Sequence, residues 1–327
     1  MTKTFIWDSY VSQEFDDTFE SQDSPCDSIY SFSKFESTTF LMDAPGRTLN
    51  LKQNLPAERI DWHASPETKA TTITVNSGMI DFDLMNRTKV LNVRNSEGRK
   101  SLTMNGGYLS LRNGEILLSN SGVISLSTKS QFNIIDFDDV SFVGSKFQMN
   151  DNCVSNIVTR RTASLGDLDL YRSVFNITTI TSNINYCDFT IIESDVTIET
   201  SDIVFVGRID RYIKIAITDS NFKIGSKSSF FSNVEFALSN TSTLNIAGQN
   251  DEDFCEGANF RFNFAKGNGS EPNASTILFT NGSAFLANRL GMYGLICIDG
   301  VPQTGNNWQR NIYWEMTSDR VLIVKLR

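Results

Sequence analysis

From about residue 70 the chain breaks into short segments in which apolar residues stand two apart, with polar residues between them. Ile73-Thr-Val75, Ile80-Asp-Phe82, Leu109-Ser-Leu111, Ile116-Leu-Leu118, Ile124-Ser-Leu126 and Phe132-Asn-Ile134 share this form. Asn76-Ser-Gly78, Asn105-Gly-Gly107, Asn113-Gly114 and Asn120-Ser-Gly122 lie between them as turns. A period of two predicts strands with one face inward, and no 3.6-residue stripe persists, so very little helix is expected. Between residues 109 and 134 the strands recur every seven or eight positions.

A second form of the unit follows: Ser173-Val-Phe175-Asn-Ile177, Tyr186-Cys-Asp-Phe189-Thr-Ile191, Ser194-Asp-Val196-Thr-Ile198, Ser220-Asn-Phe222-Lys-Ile224, Asn233-Val-Glu-Phe236-Ala-Leu238 and Ser242-Thr-Leu244-Asn-Ile246. Three such strands make a coil of roughly 20–25 residues, the size of one turn of a β-solenoid. Stacked coils satisfy the backbone by pairing each strand with its equivalents in the turns above and below. Asn, Ser and Thr suit the corners, and Phe at equivalent inward positions stacks in the core. The 24 phenylalanines, most of them in such units, are therefore read as core rather than as a ligand-binding stripe. The fold predicted is all-β, a single-stranded parallel β-helix. An antiparallel β-sandwich or barrel also shows short alternating strands, and the regular spacing favours the solenoid.

Residues 1–69 read differently, rich in Ser, Asp and Phe without sustained alternation, and predict an irregular N-terminal arm or cap. The solenoid is expected over 70–284 and a C-terminal cap over 285–327, where Leu290–Ile298, Trp308, Tyr313 and Trp314 change the style and Arg320–Arg327 reads as a final buried strand. Caps are needed because an open solenoid end offers unpaired strand edges. The stretch 150–172 reads as irregular, with Leu168, Leu170 and Tyr171 as candidates for exposed apolar contacts between copies.

The strand style over about residues 70–285 resembles right-handed parallel β-helix proteins of the pectin-lyase-like, autotransporter-passenger and tail-spike kinds. That resemblance implies a surface or secreted protein, and the tail-spike kind implies a homotrimer. Two enzyme groups of this fold are excluded as close relatives. A polygalacturonase-like Gly-His-Gly is absent, because the single histidine, His63, lies between Trp62 and Ala64; Asp138-Asp139 is present, but Arg211-Tyr-Ile-Lys214 is one residue longer than the Arg-Ile-Lys of that group. Asp139–Gly144 and Asp202–Gly207 resemble a pectin-esterase-like strand, without the Leu-Gly-Arg-Pro-Trp that accompanies it.

Charge narrows the function further. The chain carries 38 acids against 29 bases, a net charge of -9 over 327 residues, which argues against a partner tracked through nucleic-acid phosphates. The five cysteines are scattered, form no CxxC or His/Cys cluster, and read as small buried hydrophobes rather than a zinc site. No metal site or cofactor is expected. Asp251-Glu-Asp253 with Glu256 lacks the spacing of a calcium loop and reads as solvated. No phosphate-binding glycine loop, nucleophile elbow, basic-and-apolar leader or long apolar span is present. Asn-x-Ser/Thr triplets occur at Asn86, Asn176, Asn240, Asn268, Asn273 and Asn281, with meaning only on a secretory route.

Two readings follow. The first is a non-enzymatic β-helical surface or secreted protein, outside the cell or on a virion, presenting an adhesion face to a surface glycan or protein. The second is a polysaccharide lyase or hydrolase working in an outer groove, or a glycan-binding tail-spike-like protein. For the enzyme, paired carboxylates are the chemical requirement. Asp167 and Asp169 share one outward face, as do Asp81 and Asp83, and Arg160 and Arg161 supply charge to hold an acidic sugar. Trp308 and Trp314 are candidate sugar-stacking residues. Solvent-facing carboxylates and aromatic cap residues are the simpler reading of the same positions.

Overall fold

The computed structural model describes residues 13–15, 39–52, 57–63, 72–86, 88–94, 100–119, 122–184, 187–207, 210–267 and 272–327. It is 61% strand and 8% helix, a parallel β-solenoid of about seven turns, and not an antiparallel sandwich. Two compact units, residues 1–167 and 168–327, divide the chain.

In the first unit one turn uses Tyr108–Arg112, Ile116–Leu118 and Val123–Leu126. Leu109 and Leu111 pair in parallel with Ile80 and Phe82 on one side and with Phe132 and Ile134 on the other. Leu117 lies between Leu91 and Val140, and Ile124 between Leu102 and Phe147, again in parallel. Parallel pairing also reaches into the segment whose sequence reads as irregular: Thr39–Lys52 pairs with Thr72–Asp83, and Ala57–His63 with Thr88–Arg94. The register slips between Asp43 and Thr48, around Pro45 and Gly46, which explains why strict alternation is missing there. Residues 1–12, Cys26, Tyr186 and Asn268 lie outside the described residues.

In the second unit Phe222 pairs in parallel with Val196 and with Leu244, residues 26 and 22 positions away. Phe175, Phe189, Phe222 and Phe236 are all buried, and Ile177, Ile191, Ile224 and Leu238 lie inside with them. Phe222 stands 6.2 Å from Phe189 and 6.5 Å from Phe236, which stacks on Phe262 at 5.4 Å. Asn176, Thr190 and Lys223, the residues between, face outward. The strand Asp167–Tyr171 follows the same rule with Leu168 and Leu170 buried. These two leucines are core, which corrects their reading as exposed contacts between copies; the stretch 150–172 is regular strand because its apolar residues alternate like the rest.

One corner repeats through this unit. Arg172, Glu193 and Asp219 adopt the left-handed backbone conformation, and each precedes a buried serine: Ser173, Ser194 and Ser220. The Ser194 hydroxyl accepts from the Ser173 N–H at 3.0 Å and donates to the Ile192 carbonyl at 2.7 Å. The Ser220 hydroxyl repeats this with the Ser194 N–H and the Thr218 carbonyl. The left-handed conformation costs about 1–2 kcal/mol per residue, and the serine ladder offsets it by satisfying buried backbone groups the turn leaves open.

At the C-terminal end Ile296–Ile298 still pairs in parallel with Phe262–Phe264, after the helix Ala284–Met292. Val321–Leu326 then runs antiparallel along Thr276–Thr280, with Leu322 and Val324 buried, and Ile312–Met316 pairs antiparallel with it. Reversing direction ends the parallel ladder and covers the edge of Thr276–Thr280. Cys153, Cys187 and Cys297 are buried, whereas Cys255 is exposed, and none of the four is in a disulfide. Among the described residues no helix is long and apolar enough to cross a membrane.

Candidate functional site

Each strand sends alternate residues outward, so chemistry on this fold depends on which outward residues of successive turns meet. In the first unit Asp81 and Asp83 face Ser110 and Arg112 in the next turn. The Arg112 guanidinium grips Asp81 through two hydrogen bonds of 2.9 Å and reaches Asp83 at 3.0 Å. Asp83 also accepts from the Asn113 amide and the Met85 N–H. The hydrogen bond to Asp81 holds the Arg112 pKa above its ordinary value. Both carboxylates of this pair are thus engaged in bonding one turn to the next.

Arg160 and Arg161 lie on the strand Val154–Ser164. Arg160 binds Asp138 at 2.7 Å and also donates to the Asn86 side chain and the Gly114 carbonyl, residues 74 and 46 positions earlier. It therefore ties its own turn to preceding ones. Arg161 binds Asp139 at 2.6 Å. The two carboxylates stand just beyond Asp136, whose left-handed backbone turns the chain. Asp167 and Asp169 are half-buried outward residues two apart on Asp167–Tyr171. Trp308 packs on the helix Ala284–Met292, where a Cβ at Gly291 would stand 2.7 Å from the indole. Trp314 is half-buried and lies opposite Val324 in the terminal hairpin.

Among the described residues no group of three or more His, Cys, Asp and Glu is placed to hold a metal ion. In the 251–254 turn, Arg289 donates to the carbonyls of Asp251, Glu252 and Phe254. Burial, assisted by Glu252, pushes the Asp253 carboxyl up, and its Oδ2 is buried without a hydrogen bond.

The second unit has an outward grouping that no linear motif announces. Lys214, Glu235 and Arg261 stand side by side on three successive strands, 21 and 26 residues apart. Arg261 Nε donates to the Tyr212 hydroxyl at 2.6 Å and contacts Glu235 at 3.1 Å, with its guanidinium 5.2 Å from the Tyr212 ring centre. Asn263 donates to Glu235 at 3.2 Å. Tyr212 is 43% exposed, and burial of the rest of it pushes its phenol up. Ala216 and Ala237 pair beside this column and form a low floor, bordered by Thr218 and Ser239 hydrogen-bonded at 2.8 Å. Elsewhere on this unit Phe205 and Phe230 stack outward at 5.4 Å, 38% and 42% exposed.

Comparison with protein-family models, with curated proteins and with solved structures finds no match. The class this chain defines is therefore the architecture itself, a parallel β-solenoid.

Proposed function

We propose that this protein is a non-enzymatic β-solenoid that acts by presenting its outer faces to a binding partner. The observation that carries the reading is where the outward charges go. Arg112, Arg160 and Arg161 are bound to Asp81, Asp83, Asp138 and Asp139 of other turns, so the groups best suited to grip a substrate hold the stack together instead. Aromatic side chains meanwhile stand exposed on outward faces at Tyr212, Phe205 and Phe230, as in surfaces that bind without reacting. A partner on a host or microbial surface, glycan or protein, and a location outside the cell or on a virion, belong to the same proposal. So does a homotrimer, which a monomer in sedimentation at high concentration would refute.

The second reading, a groove enzyme acting on a polysaccharide, draws on Asp167 and Asp169 as an outward pair on one strand. The deciding experiment incubates the protein with a panel of polysaccharides and measures new reducing ends and unsaturated products. The non-enzymatic reading expects none. Cleavage by the wild type that disappears in Asp167→Asn or Asp169→Asn would replace it with the enzyme.

A further inference from the structure

We infer that the outer edge of the strand Ile312–Met316 takes an extended peptide, with a basic residue between two apolar ones, as an added strand. The inference rests on the binding-scaffold reading above and names the partner of one edge. Main-chain hydrogen bonding is the first argument. The Arg327 N–H donates to the Asn311 carbonyl at 2.9 Å, and the Thr317 N–H to the Val321 carbonyl at 3.0 Å. Bonded positions alternate in an antiparallel pair. Tyr313 and Glu315 therefore turn their main chain to Val321–Leu326, whereas Ile312, Trp314 and Met316 turn theirs to the open side. Ile312 is satisfied there: its N–H donates to the Trp308 carbonyl, and its own carbonyl accepts from Arg327 Nε at 3.0 Å. The N–H and carbonyl groups of Trp314 and Met316 have no hydrogen bond among the described residues. Their side chains are half-exposed at the same edge, beside the buried Val324 and Leu322. A second outer strand of this cap, Val301–Pro302, ends in a proline that cannot donate; Ile312–Met316 has none.

The second argument separates a peptide from a second copy of this chain. A free edge binds an extended segment through its main chain, and alternate side chains set the specificity. A two-fold pair that uses both free residues sets Trp314 opposite the second copy's Met316. It also puts the two exposed Glu315 carboxylates face to face, an unfavourable cross-strand pair. A pair centred on Trp314 instead sets Met316 against Ile312, whose groups are already taken. The chain's net charge of -9 adds to the repulsion between copies. A cationic peptide escapes all three. Glu315 accepts from the Tyr313 hydroxyl at 2.5 Å, which leaves lone pairs for a cation across the strand. The hairpin's own cations are placed elsewhere. Lys325 lies 4.9 Å from the Tyr313 ring centre, Arg327 is on the Ile312 carbonyl, and Arg320 is in the turn beyond Met316. The residue opposite Glu315 is therefore Lys or Arg, and its neighbours are apolar and β-branched, to cover Trp314 and Met316.

The test titrates the full chain with the peptide Ser-Thr-Val-Lys-Val-Thr-Ser, up to about 2 mM, followed by the backbone amide signals in nuclear magnetic resonance. The peptide is a palindrome, so it fits a parallel or an antiparallel addition. Ser-Thr-Val-Glu-Val-Thr-Ser is the comparison. The lysine peptide should bind about two- to fivefold more tightly, the margin of one cross-strand charge pair. It should slow hydrogen exchange at the Trp314 and Met316 amides and leave Tyr313 and Glu315 as they were. Trp314→Pro and Met316→Pro each remove an open-side N–H without touching the ladder to Val321–Leu326, and each should weaken binding about fivefold or more. Glu315→Lys should reverse the preference between the two peptides, a result that an unfolded variant cannot give. No binding of the lysine peptide overturns the inference. So does equal binding of both peptides, unchanged exchange at Trp314 and Met316, or binding indifferent to proline variants whose circular dichroism matches the wild type. Self-association in sedimentation that both proline variants abolish overturns it in favour of a second copy at this edge. None of those results touches the binding-scaffold reading, which fails separately if a polysaccharide is cleaved.

Discussion

The alternation inside a single strand makes the sharpest test of the architecture. Within Asn221–Gly225, Phe222 and Ile224 point inward and Lys223 points out. Phe222→Ala removes a ring that is 1% exposed. Losing the burial of that side chain costs about 2–3 kcal/mol. A residual cavity of about 80 Å³ adds about 2 kcal/mol at 24 cal/mol per Å³. The packing against Phe189 and Phe236 restricts collapse into the gap, so a total near 4 kcal/mol is expected, within the usual range of about 3–5. Lys223→Ala, one position along, removes an ion pair to Glu199 at 2.6 Å whose side chains are 51% and 40% exposed. Solvent screening holds that loss under about 0.5 kcal/mol. The assay is urea denaturation followed by far-ultraviolet circular dichroism. Hydrogen exchange of the amides in Asn221–Gly225 and its parallel neighbours accompanies it, because stacked repeats need not unfold all at once. If Phe222→Ala and Lys223→Ala came within about 1 kcal/mol of each other, the inward and outward assignment would be wrong.

Other outcomes are equally definite. Ser194→Ala removes the acceptor of the buried Ser173 N–H and should cost about 1–3 kcal/mol, read as a lower urea midpoint; a neutral result would dismiss the corner ladder. Arg160→Ala breaks contacts to Asn86, Gly114 and Asp138 and, being partly exposed, should cost about 1 kcal/mol, with faster exchange of the neighbouring turns. Asp253→Asn should raise the melting temperature at neutral pH, because the fold disfavours the ionised carboxylate. The sign follows from linkage: a carboxyl raised by folding destabilises above its folded pKa and ceases to do so as pH falls through it. The advantage of Asp253→Asn should therefore vanish on acidification, and a constant advantage across pH would refute the cause.

Much of this fold is legible in the sequence because the determining signal is local. Phe175-Asn-Ile177 and Phe222-Lys-Ile224 each declare their inward face through a period of two, and burying that face decides the strand register. Even the parallel stacking follows, from strands of similar form recurring about one coil apart. What the sequence does not reveal is which outward residues become neighbours. Coil length is not constant: Lys214 meets Glu235 after 21 residues, Glu235 meets Arg261 after 26, and Phe262 meets Ile296 after 34. No fixed period aligns Tyr212, Lys214 and Arg261, so that face is absent from any linear motif. Arg160 shows the same effect over a longer reach, since its bond to Asn86 crosses 74 residues and only the stack brings the two together. The parallel strands of 39–63 also depend on context, because there the neighbouring turn supplies the hydrogen bonds that a weak local pattern does not announce. Inward positions are set by each strand's own hydrophobic burial, whereas outward columns are set by the accumulated lengths of the loops between strands.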